Sequence, residues 1–396
     1  MTARRTMTTQ ERRARLAVRH RLAPAVKVDD DVVAIARSVV ALHATDPLTV
    51  VLSTLVRMRT PDQAAIEAAL YEDRTVVRAL AMRRTLWGVP VPDLAMVQAA
   101  AGDRVAADER RRLAKDLEAA GVTDDGHTWI DAAGADLVAA LRAHGPTAAA
   151  DLPALVPALG TRLTIAPGKP YEATVSVASR LLTVLSAEGR VVRGRPRGAW
   201  TGTQHHWTTP ERWLGDRAPA PMDPDAARVA LAEAWLARFG PATVADLAWW
   251  AKWPLGITRA TLAAVDTEEV DVDGVPHLVL AGDTEPTPEP EPWVALLPSL
   301  DPTIMGWKER SWYLGDLGPA LFDTVGNAGP TIWVDGWAVG AWGQRKDGEI
   351  VVEVLEDVGR ERRAAIDRAA EDLAGMLGDL RVSFRFTSAL GKRLVD

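Results

Sequence analysis

The sequence contains no cysteine. That absence excludes disulfides, thiolate zinc sites and cysteine nucleophiles together, and it fits a reducing cytoplasm. No apolar run approaches the ~18 residues that a membrane span needs, so the expectation is a cytoplasmic protein with no membrane partner. The opening residues, MTARRTMTTQERRARL, are basic but lack the uninterrupted apolar segment of a secretory signal. Also missing are G-x-G-x-x-G, a Walker loop and G-x-S-x-G, which leaves dinucleotide-binding, P-loop and serine-hydrolase readings without support. His205 and His206 are adjacent, but in a strand they point to opposite faces, and no ligand-spaced carboxylates accompany them. No metal or other cofactor is expected.

What is present is a chain of 396 residues, 47% hydrophobic and 25% charged, the composition of a soluble globular protein. At ~150 residues per domain, its length predicts two to three domains. A net charge of −7 argues against a surface coated in positive potential. Any polyanion must therefore meet local patches. Arginines cluster at Arg190, Arg193, Arg195 and Arg197, at Arg110 to Arg112, and at Arg83 and Arg84. Of the 15 Trp, only Trp87 and Trp129 precede residue 200, and the later cluster reads as core packing rather than base stacking.

Apolar spacing predicts helices over 10–22 and 30–42. Asp46 and Pro47 then supply an N-cap and a first-turn proline for another helix running to about Arg59, giving a tight helix-turn-helix. A helix over 60–70 and a short strand pair in VVRALAMRRTLWGVPV follow. The middle of the chain repeats: HGPTAAADL from His144 and FGPATVADL from Phe239 share Gly-Pro and Ala-Asp-Leu at fixed offsets. Each copy follows a helix (131–143 and 225–238), opens a new one and leads towards a β-hairpin, which is the winged-helix plan. The first hairpin, GRVVRGRPRGAWTG, carries the four clustered arginines with no nearby acid of its own. The second, EEVDVDGVPHLVLAGD, turns at Asp-Gly and carries Glu268, Glu269, Asp271 and Asp273. Only the first suits phosphates. TEPTPEPEP (284–292) reads as an extended acidic proline-rich linker. Beyond it lie strands in WVALLPSLDPTIMGW, TIWVDGWAVGAWGQ and EIVVEVLED, a helix over 360–377 and a closing strand RVSFRF.

The expected fold is thus α+β and helix-rich: three tandem winged-helix units (1–125, 126–215, 216–283), the linker, and a β-rich module over 293–396. In the first unit, His43, Thr45 and Asp46 interrupt apolar sequence. Asp46 is accounted for as a cap. His43 has two readings open, a buried imidazole bonded to backbone or, with Thr45, a holder of a water in a cleft.

In this order, ALHATDP, RALAMRRTLWGVP, AHGPTAAADL, SRLLTVLSAEGRVVRGRPRGAW, FGPATVADLAWW and LLPSLDPTIMGW resemble the tandem winged-helix proteins that include the AlkZ-type and YcaQ-type bacterial DNA glycosylases. The resemblance implies a monomeric, cofactor-independent protein that binds double-stranded DNA and removes bulky or N7-alkylated purines, in repair or genotoxin resistance. Its catalytic motif, Gln, an apolar residue, then Gln or Asp, falls where this chain has His43, Ala44 and Thr45. Trp87 likewise stands where the family tends to have His. On this basis His43 is the candidate general base, Thr45 its partner and Asp46 a mainly structural neighbour. Arg190, Arg193, Arg195 and Arg197 are candidate phosphate ligands, with Arg83 and Arg84 behind them. Two other classes stay open: a non-catalytic DNA-binding regulator, and a protein sequestering aromatic toxins through its Trp-rich half.

Overall fold

The computed structural model describes residues 4–29, 31–165, 168, 172–198 and 200–396; Asp30 and Ala199, at the margins of the predicted second helix and first hairpin, lie outside them. The chain forms two compact units that do not follow sequence order: Met1–Ile66 joined with Val229–Asp396, and Glu67–Arg228.

The first unit begins with α1 (Thr9–Arg19), capped by Thr8, whose hydroxyl accepts the Glu11 N–H at 3.1 Å. Its buried face holds Arg12 and Arg15 among apolar residues. Helix α2 (Val32–Ser38) is shorter than the predicted 30–42. The Ser38 hydroxyl donates back to the Ile35 carbonyl, Val40 takes φ 66°, and the chain leaves as a two-residue strand at Leu42–His43. The connection is therefore extended rather than a tight helix-turn-helix. Helix α3 (Pro47–Leu55) starts at the predicted cap but stops at Leu55, short of Arg59. Every one of its residues is buried, as a helix inside a core requires.

In the second unit, β1 (Val76–Leu80) and β2 (Leu86–Pro90) form the predicted antiparallel pair, with Val76 opposite Pro90 and Leu80 opposite Leu86. Helices α4 (Asp103–Ala119), α5 (Gly126–His144) and α6 (Val177–Ala187) pack around Leu113, Leu137, Leu141, Leu181 and Leu185. Gly126 permits the close start of α5, because a Cβ there would lie 2.4 Å from the Ala114 carbonyl oxygen. The arginine hairpin is β3 (Val192–Pro196) paired with β4 (His205–Thr208), with Thr147–Ala148 on the other edge of β4.

Helix α7 (Pro224–Phe239) carries the chain back to the first unit, where α8 (Val244–Ala251), α9 (Leu255–Ala263) and the hairpin β5 (Thr267–Val272) to β6 (Val275–Leu280) follow. Its Asp273-Gly274 turn has left-handed φ at both residues, as this dipeptide prefers. The repeat is geometric as well as textual. Thr147 pairs with Trp207 in one copy, and the equivalent Ala242 bridges Leu278 in the other, so in each the residue after Pro joins the hairpin's second strand. The copies diverge next. Thr243 and Asp246 form a capping box and α8 runs eight residues, whereas Ala148 stands where Thr243 would be and only Leu152–Leu155 is helical.

The segment 284–292 has neither helix nor strand, and this stretch is strapped to α1: Arg15 donates to the Asp283 and Glu285 carbonyls, and Gln10 to Glu289. Strands β7 (Val294–Leu297), β8 (Thr331–Val334), β9 (Trp337–Gln344) and β10 (Ile350–Val354) form an antiparallel meander flanked by α10 (Gly359–Leu377) and α11 (Ala389–Val395). The predicted closing strand RVSFRF is absent. Its backbone bonds side chains instead, Val382 N–H to Gln344 Oε1 at 2.7 Å and Arg385 N–H to Asp46 Oδ2 at 3.2 Å. Trp235, Trp250, Trp307, Trp333 and Trp342 are fully buried, which makes the late tryptophan cluster core.

Candidate functional site

The His43 turn belongs to the first unit, and its rigidity starts with Asp46. One carboxylate oxygen accepts the Leu48 N–H at 3.0 Å, capping α3, and the other accepts the Arg385 N–H. Burial pushes this carboxyl above the usual range, and the two N–H groups oppose that rise. His43 is 2% exposed and Thr45 half-buried. The turn thus presents a hydroxyl more openly than the imidazole beside it.

Helix α3 is held from its other side by a buried polar network. The Thr49 hydroxyl donates to the Ser299 carbonyl at 2.7 Å, and Ser53 donates to Asp301 at 2.6 Å. Arg57 forks onto both Asp301 oxygens at 2.8 and 2.9 Å and donates to Thr303 at 2.8 Å. Thr303 can in turn donate to His20 Nδ1, while Nε2 of that ring faces the Arg238 carbonyl. Burial and the neighbouring Arg57 push His20 down to about 3, so it is neutral. This network gives SLDPT its role, which sequence reading left unassigned: Asp301 fixes the helix that follows the candidate turn.

In the second unit the four hairpin arginines have four different environments. Arg190 is half-buried and 3.4 Å from Glu188. Arg193 turns inward over the Trp207 ring, 4.8 Å from its centre, and burial together with Arg78 pushes it down to about 10. Arg195, within an irregularity of β3, is exposed and pairs with Glu72 at 3.0 Å and Glu67 at 3.5 Å. Arg197 is exposed, 4.0 Å from Asp151. The hairpin has no acid of its own, but Glu67, Glu72 and Asp151 reach it from elsewhere in the fold, and Glu188 comes from its approach.

Arg83 and Arg84 sit at the β1–β2 turn with φ of 57° and 60°. Arg84 forks onto the buried Glu109 at 2.5 and 2.7 Å, a structural tie. Trp87 is buried and its indole donates to the Met82 carbonyl. The acidic hairpin also spends charge internally: Glu268 accepts from Gly282, Asp271 from Gly274, and Glu269 pairs with Arg4. His205 is buried and His206 is more open, as alternation on β4 requires.

Arg78 was missed. It lies on the fully buried strand β1, where Nη2 donates to Tyr71 Oη at 2.5 Å and Nη1 lies 3.2 Å from His205 Nε2. His205 Nδ1 faces the Gly194 carbonyl at 3.2 Å, which assigns Nε2 as the acceptor for Arg78. A lone arginine inside VVRAL was the available signal.

A helix-rich α+β chain, with small hairpins set against helices and cations gathered on one of them, defines the class. The chain belongs to the AlkZ-like DNA glycosylase family: the family model described as "DNA glycosylase AlkZ-like" matches residues 36–376, a span holding the His43 turn and both hairpins. Its fold is similar to that of Streptomyces sahachiroi DNA glycosylase AlkZ, with a TM-score of 0.72 over 96% of this chain and 99% of that chain, at 20% identity. No curated protein sequence matches the chain. Family membership implies DNA binding. Among the described residues no helix is long and apolar enough to cross a membrane.

Proposed function

We propose that this protein is a monofunctional DNA glycosylase that hydrolyses the N-glycosidic bond of N7-alkylated or bulky-adduct purines in duplex DNA. Its setting is cytoplasmic, and its role is alkylation repair or genotoxin resistance. The observation that supports the reading is the family match over residues 36–376, a span in which His43 and Thr45 precede a helix tied at Asp46 and at Ser53. Alkylation at N7 makes the purine cationic, so it departs without protonation. What remains is to stabilise an oxocarbenium-like sugar and to position water. His43 takes the general-base or water-positioning role and Thr45 orients the same water. Asp46, committed to two backbone N–H groups, is structural with a minor electrostatic effect.

Arg195 and Arg197, the exposed pair of the hairpin, meet phosphates first; Arg190, Arg193 and Arg83 stand behind them, and Arg84 is held by Glu109. The matching placement of Thr147 and Ala242 supports reading 126–215 and 216–283 as two winged-helix units, with 1–125 as the first and 293–396 as a β-rich module. With three such units in one chain, a monomer suffices.

The test is release of modified base from N7-methylated and bulky-adduct duplexes. His43→Ala is expected to slow release by roughly 100-fold or more while duplex affinity holds. A variant as fast as wild type removes the assigned mechanism. The near-complete burial of His43 favours a second reading, a non-catalytic DNA-binding protein. Under it no adduct is released, yet binding stays strongly salt-dependent and is lost in Arg195→Gln/Arg197→Gln.

A further inference from the structure

Beside the arginine hairpin lies a cavity of about 310 Å³ whose walls come from α6, β3–β4 and residues 148–150. Its polar lining is Arg193, Arg197, Thr203, Gln204, His205, Ser179 and Thr183; among the described residues no carboxylate lines it, and Asp151, outside it, is 4.0 Å from Arg197. Arg193 Cζ lies 4.8 Å from the centre of the Trp207 ring, and its buried Nε has no hydrogen-bond partner among the described residues. One layer behind, Arg78 braces His205 and is itself 5% exposed, again with no partner for Nε and no acidic partner among the described residues. One guanidinium, that of Arg78, is thus withdrawn from water and a second, that of Arg193, is half-buried, around one imidazole whose acceptor nitrogen is already used. Buried charge of one sign is expensive unless an opposite charge meets it. Arg193 and Arg197 also converge on the same space from two positions of one hairpin, a geometry suited to an oxyanion with several acceptors.

We propose that this cavity is an anion site that seats one DNA backbone phosphate, with Arg193 and Arg197 as its ligands and with Arg78, Tyr71 and His205 as the brace that holds Arg193 in place. The inference rests on reading the chain as a DNA-binding enzyme and deepens it. It separates a buried, geometrically fixed phosphate contact from the looser surface attraction of Arg195, whose charge Glu67 and Glu72 already share.

The experiment uses the full chain, inorganic phosphate and an unmodified duplex, and does not read base release, so a silent His43 would leave it intact. Thermal unfolding is compared in phosphate and in chloride at equal ionic strength. Phosphate is expected to raise the wild-type midpoint by mass action, and the rise should vanish in Arg193→Met and shrink in Arg197→Gln. In chloride the midpoint of Arg193→Met should match or exceed that of wild type, because a charge without a counter-charge is gone. A core role for Arg193 would lower it instead. By anisotropy, Arg193→Met should flatten the slope of log affinity against log salt by about 0.9, the value of one lost phosphate contact, and Arg193→Lys should restore most of it. Arg197→Gln, an exposed change, repeats the slope measurement if Arg193→Met folds poorly. An identical phosphate shift in wild type and both variants overturns the site. A phosphate shift that depends on Arg193 while the duplex slope does not assigns the cavity to free anion and overturns the DNA assignment.

Discussion

Each unit buries an arginine next to a histidine, and the two units treat it oppositely. In the first, Arg57 and Asp301 are both fully buried, and the pair is closed by Ser53, Thr303 and His20. In the second, among the described residues, Arg78 meets Tyr71 and His205, Arg193 meets the Trp207 face, and neither meets a carboxylate. A closed network completes itself and fixes α3. An open one leaves charge for something outside the chain to answer. Both units also neutralise the histidine, pushing His20 and His205 each to about 3, by burial first and a neighbouring arginine second.

The comparison breaks most directly at Asp301. Asp301→Ala strands the Arg57 charge and should cost about 3–5 kcal/mol in denaturant unfolding of the full chain. A loss under about 1 kcal/mol would mean the network is not what holds α3. The next effect is on pH. A histidine whose folded value lies below its unfolded one contributes stability that is present above about 6.5 and is lost as pH falls towards about 3. The unfolding midpoint should therefore drop through that window, and His20→Gln or His205→Gln should each flatten the drop. An unchanged profile in both variants would contradict burial as the cause. The smallest effect belongs to Arg78→Met, which removes a charge without a counter-charge. It should move stability by no more than about 1 kcal/mol, since relief of desolvation offsets the two lost hydrogen bonds. A loss comparable to that of Asp301→Ala would erase the distinction between the units.

Local signals were read where local chemistry decides. The Asp46-Pro47 helix start, the Asp273-Gly274 turn, the β1–β2 pair and α10 all depend on neighbours in sequence, and all are where the spacing predicts them. Failures fall where a distant partner intervenes. RVSFRF has strand composition, yet Gln344 and Asp46 take its N–H groups. The 30–42 helix ends early because the chain is drawn into a short strand at Leu42–His43. At the candidate site, the identities of His43, Thr45 and the clustered arginines were legible, but their exposure was not. The acids that meet Arg195 are over 120 residues away in sequence.

By itself the sequence determined the repeat around Gly-Pro, the caps and turns, the tryptophan-rich core and the family resemblance, because each is a matter of residue type at short or regular spacing. Only the tertiary structure decided which arginine is answered by a carboxylate and which is left open. Burial and charge pairing are properties of neighbours in space, and Arg57 and Asp301 become neighbours only when the chain is folded.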